Sequence, residues 1–279
     1  MKNILVPTDF SDNSWNAIKY ALQFFKKKKC NFYLLHVTSL TNYIDADAPL
    51  LTDIESIENA LIKESKTELQ KLLQKIKQLN GKDNNNYITL TSIDYFIDAV
   101  RNQIIEKKID LVVMGTKGAT GFKEAMVGSN TGDLITKVQC PVLVIPEDAV
   151  FKMPKEIAFP TDYNIFYHTK ILSEISEIAR MYRSAIRVLH VSKRNENLSV
   201  FQRENQEYLS DYFMDEQHSF HRITSKKIES GLQCFVESRD IDLIVMVAKN
   251  LNLFQQILFK PTVEEISYHT EIPFLVLHE

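Results

Sequence analysis

Asp110-Leu111-Val112-Val113-Met114-Gly115-Thr116-Lys117-Gly118-Ala119-Thr120-Gly121-Phe122-Lys123-Glu124-Ala125-Met126-Val127-Gly128-Ser129-Asn130-Thr131-Gly132-Asp133-Leu134-Ile135 runs from an apolar strand through a glycine loop into a helix start. Five of the seven glycines in the chain fall between Gly115 and Gly132. Glycine is used where a backbone takes positive φ or lets another group approach closely. A chain so poor in glycine that concentrates it in one loop is shaping that loop around something. Ser129, Asn130 and Thr131 then put hydroxyls and an amide at the first positions of a helix. The free N–H groups of a helix N-terminus, with the dipole behind them, suit phosphate. The bland alternative is a strand–helix turn whose glycines serve packing alone.

Outward from this stretch the chain alternates strand and helix. Asn3–Pro7 reads as a strand and Ser14–Lys28 as a helix with Ala17, Ile18, Ala21, Leu22 and Phe25 at helical spacing. The Lys26–Lys29 run then sits at a helix end, where cations complement the dipole. Asn31–Val37 reads as a second strand. A polar loop follows, then a long helix with Leu69, Leu72, Ile76 and Leu79 in one stripe. Tyr87–Ile93, Leu111–Gly115 and Pro141–Ile145 read as further strands, with helices over Tyr95–Lys107 and Gly128–Gln139. Near-continuous apolar strands alternating with helices predict a parallel sheet covered on both faces.

The second half repeats the first. Asp110–Glu147 aligns without a gap on Asp242–Glu279, Val6-Pro7-Thr8-Asp9 recurs as Phe159-Pro160-Thr161-Asp162, and Leu35-His36-Val37 as Leu189-His190-Val191. Two domains are expected, 1–148 and 153–279, joined near Pro146 to Pro154. The second is shorter between its second and fourth strands, which a shorter helix or loop would accommodate. It has also lost the glycines: Gly115 aligns with Val247, Gly118 with Asn250, Gly128 with Lys260 and Ser129 with Pro261. Side chains would fill the phosphate space there, and Pro261 removes a donor.

The spacing Gly115, Gly118, Gly128-Ser129 resembles that of the universal stress proteins of the ATP-binding kind. Ile4-Leu5-Val6-Pro7-Thr8-Asp9-Phe10-Ser11, Leu34-Leu35-His36-Val37 and Cys140-Pro141-Val142-Leu143-Val144-Ile145-Pro146 agree with it. The resemblance implies an α/β fold of two tandem Rossmann-like domains, each a five-stranded parallel sheet of order 3-2-1-4-5 with helices on both faces. In such sheets ligands bind beyond the strand carboxyl ends, where the order reverses. That switch point lies between strands one and four, where Pro7-Thr8-Asp9 and the glycine loop end up.

The resemblance also assigns residues. Asp9, which on its own reads equally as a helix cap, would contact the sugar or a phosphate-bound Mg²⁺, with Pro7 and Thr8 at the pocket edge. Val37 would offer backbone groups to an adenine edge, and Met114 a polarizable side chain to the base. Gly115 and Gly118 would bring backbone to the phosphates. Gly128, Ser129, Asn130 and Thr131 would donate to them, Asn130 being a departure from the small or apolar residue usual in the family. The implied function is a stress-response regulator holding ATP with Mg²⁺ in its first domain, with a further protein partner. The two domains would pair through their fifth strands as an intramolecular pseudo-dimer, with a homodimer as a further step. A slow ATP hydrolase or self-phosphorylating enzyme is the alternative, and a ligand-free interaction protein a third reading. No phosphate-loop lysine motif is present. A dinucleotide dehydrogenase is excluded, because Pro7-Thr8-Asp9-Phe10-Ser11 has no glycine where that fingerprint needs it.

Composition sets the remaining bounds. In 279 residues, 44% apolar and 25% charged residues are those of a soluble globular chain. A net charge of −3 gives no electrostatic reason for nucleic acid or an anionic membrane as a partner. No apolar stretch reaches the length of a membrane span. The chain enters a strand directly after Met1-Lys2-Asn3, so a cytoplasmic location without a signal peptide is expected. Cys30, Cys140 and Cys234 fit no metal spacing and are expected to be buried thiols. His218 and His221 could share a helix face, but no third ligand accompanies them. His36 and His190 at strand ends are expected to be structural.

Overall fold

A computed structural model describes residues 1–39, 54–81, 83–116, 129–194, 197–248 and 272–278. The chain divides into two compact units within the fifth strand, after Val142.

In the first unit β1 (Lys2–Pro7), β2 (Cys30–Thr38), β3 (Asn86–Ile93) and β4 (Leu111–Gly115) lie in the order β3-β2-β1-β4, every pairing parallel. The Val112 N–H donates to the Pro141 carbonyl at 2.9 Å and brings the start of β5 (Val142–Ile145) beside β4. The helices are α1 (Asp12–Phe24), α2 (Ile54–Asn80), α3 (Phe96–Lys107) and α4 (Ser129–Lys137). Right-handed crossovers leave β1 in opposite directions, so α1 and α2 share one face of the sheet and α3 and α4 the other. Contacts bear this out. Lys75 of α2 lies 4.2 Å from the centre of the Trp15 ring on α1, and Arg101 of α3 donates to the Lys137 carbonyl that ends α4 at 2.7 Å. Sandwiched strands are apolar on both sides: Ile4, Leu5, Leu35, Val112 and Val113 are wholly buried.

The second unit is built alike. Its strands are β6 (Glu156–Pro160), β7 (Ala185–Ser192), β8 (His218–Thr224), β9 (Leu243–Val247) and β10 (Phe274–Leu277). Their order is β10-β9-β6-β7-β8, again parallel, which is the 3-2-1-4-5 arrangement repeated. Its helices are α5 (Thr169–Tyr182), α6 (Val200–Tyr212) and α7 (Ile228–Ser238). The shortening seen in sequence is taken up by α6, which has 13 residues where α2 has 27.

Three expectations need correction. The Lys26–Lys29 run does not end a helix. α1 stops at Phe24 because Phe24 and Phe25 are both buried and pack edge to face, which turns the chain into the core. His218 and His221 lie on β8, and residues three apart on a strand point to opposite faces, so they cannot share a ligand. Among the described residues there is no group of three potential metal-ligating side chains. Cys30 and Cys140 are buried as expected, but Cys234 is exposed, because α7 turns that position away from its sheet. No described helix is long and apolar enough to cross a membrane.

Candidate functional site

The β1–β4 pairing, Ile4 with Leu111 and Leu5 with Val112, sets the carboxyl ends of the two strands side by side. Beyond β1 the chain makes a tight turn into α1. The Thr8 N–H extends the ladder to the Leu35 carbonyl at 2.8 Å. The buried Thr8 hydroxyl accepts from the Phe10 N–H at 3.1 Å and meets the Ser14 hydroxyl at 3.0 Å. Phe10 adopts φ 63°, a left-handed conformation unusual for a bulky residue. Two contacts hold it there: the Thr8 hydroxyl, and the His36 ring at 4.5 Å between centroids. His36 Nδ1 donates to the Thr8 carbonyl at 2.8 Å; a carbonyl only accepts, so this nitrogen carries the proton.

Asp9 is exposed on the outside of the turn. It does not cap α1. Ser11 does, its hydroxyl accepting from the Ser14 N–H at 3.2 Å, while the Asp9 carboxylate accepts from the Ser11 N–H at 3.1 Å and the Ser11 hydroxyl at 2.5 Å. These bonds fix the carboxylate at the mouth of the switch point. Pro7 closes β1 as its last, buried residue.

On the β4 side Gly115 is buried against α1. A Cβ there would lie 2.6 Å from Asn13 Nδ2 and 2.7 Å from Asn13 Oδ1, so any larger residue would have to displace the Asn13 amide, and packing by itself favours glycine at this position. The Gly115 carbonyl accepts from the Thr131 hydroxyl at 2.8 Å. Thr131 is therefore turned inward and ties the first turn of α4 to the end of β4, in place of offering its hydroxyl outward. Ser129 and Asn130, at the start of α4, are exposed. Met114 is half-buried in β4, and Val37, half-buried in β2, is in register with Ser92. Gly118, Gly128, Lys117, Gly121 and Lys123 lie outside the described residues. Pro7, Thr8, Asp9, Gly115 and Thr131 thus meet at one switch point, with an exposed carboxylate on the β1 rim and a helix N-terminus on the β4 rim. Such a rim pair can accept hydrogen bonds from hydroxyls and donate them to an anion. Phe10, Asn13 and Ser14 escaped the sequence reading, although the recurrence of Thr-Asp-aromatic in both halves was a legible signal for the turn.

The second unit repeats the turn and closes it. Tyr163 has φ 58° and stacks on His190 at 5.3 Å, its N–H donates to the Thr161 hydroxyl at 2.9 Å, and His190 Nδ1 donates to the Thr161 carbonyl at 3.0 Å. Burial pushes the Tyr163 phenol well above its ordinary range. The place of the Ser14 hydroxyl is taken by Tyr167, whose hydroxyl donates to Thr161 at 2.8 Å. Side-chain amides from α6 then cover the turn: Gln202 donates to the Asp162 carbonyl and Asn205 to the Tyr163 carbonyl, both at 2.8 Å. Val247 stands where the first unit has Gly115, and Asn250, Lys260 and Pro261 lie outside the described residues.

Known proteins resemble the chain in two ways. Over its first half it is 31% identical to the universal stress protein MJ0531 of Methanocaldococcus jannaschii across 148 residues, 52% of this chain and 81% of that one. It is 28% identical to MJ0577 of the same organism across 156 residues, 52% of this chain and 94% of that one. Over its whole length it shares its fold with a universal stress protein of Archaeoglobus fulgidus, with a TM-score of 0.73 at 16% identity, covering 99% of this chain and 98% of the other. The model of the universal stress protein family matches residues 1–146. With motif, strand order and switch-point turn in agreement, the chain belongs to the universal stress protein family.

Proposed function

We propose that the first unit binds an adenine nucleotide, ATP with Mg²⁺, and that the chain is a cytoplasmic stress-response regulator governed by that ligand. The observation that carries the reading is the junction of the Asp9 turn with the Gly115 end of β4, to which Thr131 ties α4. This is the crevice at which open α/β sheets take ligands. Its donors and acceptors suit the groups of a nucleotide: a fixed carboxylate for a ribose hydroxyl, and exposed first-turn residues Ser129 and Asn130 for phosphate oxygens. Mg²⁺ is commonly held by one or two carboxylates together with phosphates and water, and Asp9 fits that role. Bound metal would neutralise phosphate charge; the residues of this chain orient and hold the ligand. Gly118 and Gly128 complete the proposed phosphate cradle. Domains 1–148 and 153–279 are taken to pair as an intramolecular pseudo-dimer, as the family resemblance implies.

Equilibrium dialysis of the full chain against Mg·ATP tests the reading, with Gly118→Val and Gly128→Lys expected to abolish binding while circular dichroism stays unchanged. Asp9→Ala removes one polar contact and leaves the cradle, so it should weaken binding less. Retention of affinity within about threefold of the parent in either glycine variant, less than roughly 0.7 kcal/mol, would overturn the loop assignment. Turnover of about 1–1000 per second would make the protein an enzyme instead.

A further inference from the structure

A polar chain with charged members crosses three strands of the second unit; the first unit has a different, uncharged one, in which Asn31 donates to Asn3 and Asn86 to Asn31, both at 2.8 Å. Glu156 of β6 pairs with Arg187 of β7 through Nε at 2.5 Å and a second guanidinium nitrogen at 3.0 Å. The remaining arm of Arg187 donates to the Ser219 hydroxyl of β8 at 2.8 Å, and that hydroxyl meets His221 Nε2 at 2.7 Å. In the first unit the corresponding positions are Asn3, Tyr33, Ile88 and Leu90, by the matched registers of Arg187 with Ser219 and Tyr33 with Ile88. The fold therefore does not require this network. β8 ends the strand order of its unit, so the network binds an edge strand to its neighbour.

We propose that the Glu156–Arg187–Ser219–His221 chain is an acid-sensitive latch that secures β8 to β7 while His221 is neutral. The guanidinium takes one lone pair of the Ser219 oxygen and leaves its hydrogen available to His221 Nε2, so the latch assigns that nitrogen as the unprotonated acceptor of the neutral ring. Protonation of Nε2 turns that acceptor into a donor and sets an imidazolium beside two guanidiniums. The charged groups facing His221 are Arg187 of β7, Arg239 after α7 and the more distant Glu156 of β6, while Phe235 of α7 packs on the ring at 5.0 Å. Burial pushes His221 below the ordinary imidazole range; Arg239 and Arg187 add to the effect, and Glu156 opposes it. The sign follows. An unfolded histidine titrates near about pH 6.5. Stability from the neutral ring is complete above that value and is lost as pH falls towards the lower folded value, where the unfolded chain binds more protons.

Nitrogen-15 spectra of the histidine rings in the full chain test the latch, the His221 signal being assigned by its loss in His221→Gln. The expected result is the Nδ1–H tautomer at neutral pH, with a midpoint below about 6.5 that rises in Ser219→Ala, which has lost the donor to the neutral ring. Hydrogen exchange over residues 218–224, corrected for intrinsic rate, should lose about tenfold in protection between about pH 7.5 and 5.5 in the parent and none in His221→Gln. An Nε2–H tautomer, a midpoint at or above that of a free histidine, or protection indifferent to pH in the parent would each overturn the proposal. Should His221→Gln fail to fold, equal midpoints in the parent and Ser219→Ala overturn it alone.

Discussion

Gly115 shows how one residue can serve packing and site at once. Its carbonyl anchors Thr131, and its missing side chain makes room for Asn13. Gly115→Ala should therefore destabilise the fold by about 1–3 kcal/mol, the usual cost of overpacking. Adding Asn13→Ala should recover part of the loss, read by urea denaturation as a non-additive cycle. Additive losses would mean that the collision with Asn13 is not the cause. Thr131→Val, which keeps shape and removes the hydroxyl, should cost about 1–2 kcal/mol through the lost buried bond. The cysteines give a second check. Burial raises the Cys30 thiol above its ordinary range, Cys140 is buried against the Ile109 carbonyl, and Cys234 is exposed. One thiol per native chain should react rapidly with a colorimetric disulfide reagent, and three after denaturation; three fast thiols in the native chain would contradict the burial.

At the scale of elements, the strands were the most legible part, because sheets covered on both faces demand continuous apolar runs such as Ile4-Leu5-Val6 and Leu111-Val112-Val113. β4 has the bounds expected of it, and β1, β3 and β5 differ by a single residue at one end. What the sequence hid was tertiary in origin. Nothing local says that Phe24 and Phe25 end α1, or that Ser11 and not Asp9 caps it. The left-handed Phe10 was equally hidden, since only the His36 ring and the Thr8 hydroxyl make that conformation tenable. His218 and His221 could be misread because a short stretch of mixed polarity fits either period. The cap yields a prediction: Ser11→Ala should lower stability by about 1 kcal/mol. The same variant removes the two donors that its N–H and hydroxyl give Asp9 only in part, the N–H remaining. Its ATP affinity should thus fall less than that of Asp9→Ala, and an equal or larger fall would show that the hydroxyl itself meets the ligand.

For the whole molecule, the two units keep the same turn and put it to different use. Thr8, Asp9, Phe10 and His36 correspond to Thr161, Asp162, Tyr163 and His190, with left-handed aromatics packed against histidines in both. The turn is therefore a property of the fold, and its presence alone does not mark a ligand site. The difference lies in what meets it. In the second unit α6 spends Gln202 and Asn205 on the carbonyls of Asp162 and Tyr163, and a capping box at Ser199 fixes the helix that carries them. Displacing those amides would cost a ligand two hydrogen bonds, one buried and one part-buried, before it gained any, and the glycines that would admit phosphate are absent from the second half. One nucleotide per chain is the expected stoichiometry in titration calorimetry. Trp15 provides an independent reading: it is the single tryptophan, it sits in α1 one turn beyond the Asp9 turn, and Lys75 lies over its ring. Its fluorescence should change along the same isotherm as the heat, and Gln202→Ala with Asn205→Ala should alter neither. Two equivalent sites in the parent chain, or a heat signal without a fluorescence counterpart that survives Gly118→Val, would move the binding site away from the first unit.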